Sequence, residues 1–247
     1  PSMRVPTTDN GDRIYAIGDV HGRYDLLCRI FEKIEAHSAT LPPNRNTNII
    51  LLGDLIDRGP QSAQVLEFLF NLQKRNKNFT VLLGNHEELM IRAISGEPGM
   101  LRAWIKLGGG PTLRSFGIEP PEGEYDLPAF TKQVAKAIPP EYVSWLKSLP
   151  LSARSGDYFF CHAGVRPRLS LARQSRNDLL WIREEFLESE VDHGAVIVHG
   201  HSVATDVQLR NNRIGIDTGA YRTDVLTALF LEGEQCEILS TGQPAGT

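Results

Sequence analysis

Short apolar runs alternate with longer stretches whose apolar positions recur at helical spacing through the first part of the chain, the pattern of strand-helix-strand units. Residues 14–17, 48–52 and 79–83 predict strands, and 26–34, 61–73 and 87–94 predict the helices that follow them. Parallel strands joined by crossover helices are the natural packing of such an alternation. From about residue 96 to 150 the character changes. Pro and Gly become frequent, and short helical patches at 101–107, 128–137 and 141–149 replace the strands, as in a helical cap or lid over one end of a sheet. Strands are predicted again at 158–161, 195–198, 207–209, 213–216, 225–231 and 237–239. The last four lie close together with turn residues between them (Asn211-Asn212, Glu232-Gly-Glu234), which suggests antiparallel hairpins.

The chain has 247 residues, 41% of them hydrophobic, so it can bury a full core without disulfides or metals as staples. We expect one α/β catalytic domain over residues 13–247, with 96–150 as its cap and a flexible lead at 1–12. Against 26 Lys and Arg stand 30 Asp and Glu, a net charge of −4. That balance removes the electrostatic case for binding a nucleic-acid duplex, which needs a basic face. An anionic substrate would need local cations. The three cysteines, Cys28, Cys161 and Cys236, are odd in number and far apart, which fits a reducing, cytoplasmic compartment. The longest apolar run, residues 225–231, is far short of a membrane span, and residues 1–10 contain no apolar signal segment. Membrane attachment and secretion are not expected, and the chain is expected to be a monomer.

Five predicted strands end in the same syntax, an apolar run halting at residues able to bind a metal. They read Ile14-Tyr-Ala-Ile-Gly-Asp19-Val-His21, Ile49-Ile-Leu-Leu-Gly-Asp54, Val81-Leu-Leu-Gly-Asn85-His86, Tyr158-Phe-Phe-Cys-His162 and Val196-Ile-Val-His-Gly-His201. In open α/β sheets the carboxyl ends of the strands form the ligand crevice, so these side chains should converge. Each fragment alone reads more readily as a turn former or a packed or surface histidine. Five together would cluster carboxylates and imidazoles without partners, at a high desolvation and repulsion cost that cations remove. Carboxylate, amide and imidazole donors without thiolate suit Mn, Fe or Zn. Six donors, Asp19, His21, Asp54, Asn85, His162 and His201, are too many for one tetrahedral ion and fit two ions roughly 3.5–4 Å apart, with Asp54 as bridge.

Gly18-Asp-Val-His-Gly22, Gly53-Asp-Leu-Ile-Asp-Arg-Gly59 and Gly84-Asn-His-Glu87 resemble the three signature blocks of the calcineurin-like metallophosphoesterases. The form of the second block is that of the phosphoprotein phosphatase branch. Cys161-His-Ala-Gly164, Trp181-Ile-Arg183, Gly200-His-Ser202 and Ile216-Asp-Thr-Gly-Ala220 extend the resemblance to bacterial and phage-type serine/threonine phosphatases, over residues 13–240. The resemblance implies a β-sandwich of mixed sheets flanked by helices, carrying two divalent ions, most commonly Mn2+. It implies Asp19, His21 and Asp54 on the first ion, with Asp54, Asn85, His162 and His201 on the second. It further implies His86 as general acid, Asp57 orienting it, and Arg58, Arg183 and Asn85 on the substrate phosphate; Arg183 follows Trp181 on a predicted helix. One departure is His199, where an apolar residue is expected. Side-chain alternation along the strand makes it a core histidine beside the ligands.

The activity so implied is hydrolysis of phosphoserine and phosphothreonine in proteins or peptides, by direct attack of a hydroxide held between the ions. A serine or threonine alkoxide leaves poorly, so His86 would supply a proton and Asp57 would hold its tautomer. Planar guanidinium donors suit the charge that spreads over the transferred phosphoryl group. The alternative is a symmetrical diadenosine tetraphosphate hydrolase, for which Trp104, Phe116, Tyr125, Phe130, Tyr142 and Trp145 in the cap could offer base-stacking platforms. A non-catalytic scaffold would be expected to have lost ligands, and none is missing. A cysteine phosphatase loop is set aside because Cys161 and Arg166 are one residue too close, and Cys161 ends an apolar run as an inert buried thiol does. Gly108-Gly-Gly110 belongs to no nucleotide loop of the Gly-x4-Gly-Lys type and is expected as a flexible turn.

Overall fold

The computed structural model describes residues 4–242, with no cis peptide bond among them. Two five-stranded mixed sheets face each other. The first contains β1 (Asp12–Ile17), β2 (Asn46–Leu51), β3 (Phe79–Val81), β9 (Thr227–Glu232) and β10 (Gln235–Ser240), in the order β10-β9-β1-β2-β3. The second contains β4 (Ser152–Ser155), β5 (Tyr158–Cys161), β6 (Val196–His199), β7 (Gln208–Leu209) and β8 (Arg213–Gly215), in the order β4-β5-β6-β8-β7. Strands β1, β2 and β3 run parallel, as do β5, β6 and β8. Hairpins β7-β8 and β9-β10 are antiparallel, as the close spacing predicts, but β8 and β9 lie in different sheets. Strand β4, whose Ser-Ala-Arg-Ser sequence carries no apolar run, pairs antiparallel at the sheet edge.

Alternation along each strand builds two cores. Ile14 and Ala16 of β1, with Ile50 of β2, meet Tyr158, Phe160, Val198 and Ile214 of the second sheet between the layers. Tyr15 and Ile17 point the opposite way, onto helices α1 (Tyr24–Ala39), α2 (Ser62–Arg75) and α3 (Asn85–Ile94). In α1 the buried positions Leu26, Leu27, Ile30 and Ile34 form one stripe, and in α2 Val65, Leu66 and Leu69 do the same. Burying each such side chain stabilises the fold by about 1.5–3 kcal/mol. On the far face of the second sheet, Phe159, Cys161 and Ile197 pack against Leu179, Ile182 and Phe186.

Residues 96–150, expected as a lid, share the first core. The segment contains α4 (Met100–Trp104), a π-helical turn (Ile105–Gly109), α5 (Gly110–Ser115), α6 (Leu127–Ala137) and α7 (Pro140–Ser148). Trp104, Leu113, Phe130, Val134 and Leu146 are buried in the same cluster as the stripes of α1 and α2, so these helices form a wall of the domain. Gly108-Gly-Gly110, expected as a flexible turn, lies in the π-helical turn and the start of α5. The lead expected at residues 1–12 is tied down where it is described. Thr8 N–H donates to Gly233 O at 3.1 Å, Asp157 N–H donates to Thr7 O at 2.8 Å, and Asp12 already begins β1; residues 1–3 lie outside the described part. Short helices α8 (Arg176–Trp181), α9 (Glu184–Leu187) and α10 (Ala220–Thr223) complete the chain. No helix of the described residues is long and apolar enough to cross a membrane.

Candidate metal centre

Six parallel strands, three from each sheet, deliver their carboxyl ends to one place. Asp19 and His21 follow β1; Asp54, Asp57 and Arg58 follow β2; Asn85 and His86 open α3 after β3. From the other sheet come His162 after β5, His201 after β6 and Asp217 after β8. All but Arg58 are buried. The predicted donors converge around one oxygen. Asp54 Oδ2 lies 3.3 Å from His162 Nε2, 3.5 Å from His21 Nε2 and 4.0 Å from His86 Nε2. Asp19 Oδ2 is 3.7 Å from His21 Nε2, and His201 donates its backbone N–H to Asp19 Oδ1 at 3.2 Å. The Asn85 amide reaches His162 Nε2 at 2.8 Å.

The backbone is bent to achieve this. His21, Asp54, Asp57, Arg58 and His201 have φ of 44°, 53°, 75°, 72° and 66°, making five of the seven described non-glycine residues in that region. Such conformations cost about 1–3 kcal/mol each and persist where surrounding contacts over-determine them. Glu87 provides them at Asp54: its carboxylate accepts N–H from Asp54 (2.7 Å), Gly84 (3.0 Å) and Leu55 (3.0 Å), capping α3 and clamping the β2 loop to it.

The donor chemistry fits divalent cations. The Nδ1 atoms of His21 and His162 face the carbonyls of Ile56 (2.8 Å) and Leu52 (2.7 Å), so each Nδ1–H is donated outward and each Nε2 lone pair is turned to the centre. His201 Nε2 is buried without a hydrogen-bond partner. Burial holds the His21 imidazole down at about 3 and that of His201 at about 2, so both are neutral, as a ligand must be. Two triads, His21-Asp54-His86 and Asp54-His162-His201, each bring their donor atoms within 4.8 Å of one another. Burial also raises the Asp19 and Asp217 carboxyls, each further raised by the charge of Asp54. At His162 burial lowers the imidazole, but the Asp54 charge outweighs it and raises the group. Asp54 itself is held well below the usual carboxylate range: burial opposes this, but His162, His86 and His21 outweigh it.

Beside the centre, His86 Nδ1 lies 2.7 Å from Asp57 Oδ2, with Asp57 fully buried. Burial pushes His86 down, yet the Asp54 charge and the Asp57 hydrogen bond prevail and raise it to about 9. Arg58 is half-buried, its guanidinium 4.9 Å above the Tyr221 ring, whose edge meets His21. Arg183, expected on a helix, instead sits between α8 and α9; it is exposed, near enough for its charge to lower His201. His199 is buried away from the centre, with Nδ1 against Gly200 O at 3.0 Å and Nε2 against Arg213 Nη1 at 3.1 Å. Of the aromatic platforms, Trp104 and Phe130 are buried in the core and present no face to a base.

Sequence reasoning passed over several residues that the structure brings to the site. Asp217 obeys the strand-end syntax used for the others, so that signal could have found it. Glu87 reads only as part of a block, Tyr221 and Thr112 carry no local signal, and Trp104 reads as a base-stacking platform and not as a partner of Asp57.

Residues 12–229 match the family described as calcineurin-like phosphoesterase, and the chain belongs to it. Among curated relatives it is 24% identical over 251 residues to an asymmetrical bis(5'-nucleosyl)-tetraphosphatase, PrpE, of Oceanobacillus iheyensis, covering 94% of each chain. It is 28% identical over 163 residues to a symmetrical bis(5'-nucleosyl)-tetraphosphatase of Neisseria gonorrhoeae, covering 64% of this chain and 46% of the relative, so it spans under half of that protein. By shape it is similar to a candidate diadenosine tetraphosphatase (TM-score 0.64, 17% identity, 96% of this chain and 98% of the other). It is equally similar to a cold-active protein tyrosine phosphatase (TM-score 0.64, 19% identity, 96% and 81%). The shared shape therefore does not separate the two substrate classes.

Proposed function

We propose that this chain is a metal-dependent hydrolase of dinucleoside polyphosphates. The observation that carries the reading is the match along 94% of both chains to a relative named as a bis(5'-nucleosyl)-tetraphosphatase. Asp19, His21, Asp54, Asn85, His162 and His201 would hold two divalent ions, Asp54 belonging to both clusters of donors. When bound, such ions supply Lewis-acid charge and lower the pKa of water. Arg58, its guanidinium stacked on Tyr221, and Arg183 at the rim bind and orient the polyphosphate. Asn85, whose amide lies 2.8 Å from His162 Nε2, would also contact the bound phosphoryl group. His86 holds a proton at Nε2 for the leaving oxygen, and Asp57 accepts its Nδ1–H.

A second reading, the hydrolysis of phosphoserine and phosphothreonine, is supported by that same pair. A nucleotide leaving group departs from an anhydride with little need of a proton, whereas an alkoxide needs one. The deciding experiment supplies Mn2+ and compares nucleotides released from diadenosine tetraphosphate with phosphate released from a phosphoserine peptide. Release of AMP with ATP, or of ADP alone, at a kcat/KM well above that for the peptide supports the first reading. A preference for the peptide overturns it in favour of the second.

A further inference from the structure

Asp57 is held from the helical segment as firmly as from its own loop. The Trp104 indole N–H points between its two carboxylate oxygens, 3.0 Å from Oδ1 and 2.9 Å from Oδ2. The Thr112 hydroxyl donates to Oδ1 at 2.7 Å and accepts the backbone N–H of Asp57 at 2.9 Å. Ser62 Oγ accepts from the same N–H at 3.0 Å. One residue on, Arg58 N–H donates to Gly108 O at 2.9 Å. Asp57 and Arg58 are thus fixed in left-handed backbone by residues about fifty positions away in the chain.

The intervening turn is built for these contacts. Gly108 has φ 121°, and a side chain there would meet Arg58 Cγ at 2.7 Å. A side chain on Gly109 would meet the Trp104 ring at 2.7 Å. A π-helical turn carrying such glycines marks a place where regular helix has been given up for geometry. Trp104 and Thr112 are both fully buried, and a buried indole or hydroxyl requires a partner. The partner both find is the carboxylate that holds His86.

We propose that Trp104 and Thr112 are positioning residues for proton donation: they fix the Asp57 carboxylate, and through it the His86 ring, at the leaving-group side of the site. Neither touches substrate. The inference rests on the phosphohydrolase reading, and its effect is greatest on substrates whose leaving oxygen needs a proton. Losing one hydrogen bond to a buried carboxylate lets the carboxylate turn, and the His86 Nε2 proton is then misaimed.

The test uses the full chain with Trp104→Phe, Thr112→Val and Thr112→Ser. The first readout is kcat on a series of aryl phosphates whose phenols span a wide pKa range, with Mn2+ supplied and metal content measured. Trp104→Phe and Thr112→Val should lose roughly tenfold or more on the poorest leaving group and little on 4-nitrophenyl phosphate. Thr112→Ser should stay near the parent. The second readout needs no activity: the proton NMR signal of the His86 Nδ1–H in the metal-free protein should persist in the parent and Thr112→Ser, and weaken or shift in Thr112→Val. Equal losses across the series at unchanged metal content would overturn the proposal, as would an unchanged His86 signal. Should Trp104→Phe fail to fold, the two Thr112 variants decide alone. A parent inactive on phosphate esters and on diadenosine tetraphosphate alike would refute the hydrolase reading, while the NMR comparison would still judge the positioning.

Discussion

The carboxylate of Glu87 receives the backbone N–H of Asp54 at 2.7 Å, joining the first turn of α3 to the residue at the middle of the metal centre. Two more backbone donors, from Gly84 and Leu55, meet the same carboxylate. Glu87→Gln would turn an amide NH2 toward at least one of these N–H groups and leave it without an acceptor. A loss of about 2 kcal/mol in unfolding free energy is expected, together with weaker metal binding, because Asp54 occupies a left-handed conformation that only its surroundings hold. Urea unfolding in EDTA and a manganese titration measure the two. An unchanged unfolding midpoint would show that the clamp is dispensable.

Asp217 stands buried beside Asp19, its Oδ1 accepting the backbone N–H of Gly219 at 3.0 Å. Burial raises both carboxyls, Asp19 further through the charge of Asp217. A carboxyl whose pKa is higher folded than unfolded binds its proton more tightly in the native state, so metal-free stability falls as pH rises through that window. Asp217→Asn removes one charge from the cluster. The metal-free variant should therefore melt higher than the parent at pH 8, and bind manganese more weakly. Thermal melts with EDTA and with manganese would show this as a crossing of the two proteins' stabilities. A variant that melts lower without metal would place Asp217 as a structural hydrogen-bond acceptor only.

How much of this was readable beforehand depended on whether a residue's role was encoded near it in the chain. The strand-end donors were legible because a parallel strand buried on both faces must be a short apolar run, and its first polar residues necessarily emerge at the crevice. β5 is found at the predicted residues 158–161 for the same reason. β4 was not, since an edge strand needs no apolar alternation. Trp104 illustrates the other limit. Its type and spacing allowed a stacking platform, while the three-dimensional fold buries it and turns its N–H onto Asp57, a pairing across 47 positions that no periodicity records. Arg183 was expected on a helix and stands between two, because Trp181 ends α8 and Glu184 begins the next turn.

Cys161 offers a test of the rejected covalent mechanism. It is fully buried among Phe159, Ala163 and Phe186, and burial pushes its thiol far above the range in which thiolate forms. Iodoacetamide at pH 8 should therefore label the exposed Cys236 in the native protein and leave Cys161 unlabelled until the chain is unfolded. Cys161→Ala should keep phosphate-ester hydrolysis within about twofold, at a cost of roughly 1 kcal/mol in stability from lost packing. Abolished activity in a folded, metal-replete variant would reopen the cysteine route.

His86 links the chemistry to stability through its proton. Its imidazole rises from 6.5 to about 9, because the charges of Asp54 and Asp57 outweigh burial. A histidine with a raised folded pKa contributes stability that is fully present below the unfolded value and is lost as pH climbs through the folded one. The metal-free protein should accordingly lose up to about 3 kcal/mol between pH 6.5 and 9 from this group, and His86→Asn should flatten that slope. Catalysis should report the same proton differently. With metals present, His86→Asn should retain both ions and lose alkyl phosphate hydrolysis by about a hundredfold or more, yet lose much less on 4-nitrophenyl phosphate, whose phenolate leaves unprotonated. Equal losses on the two esters would remove His86 from the role of acid and leave it as an electrostatic neighbour of Asp54.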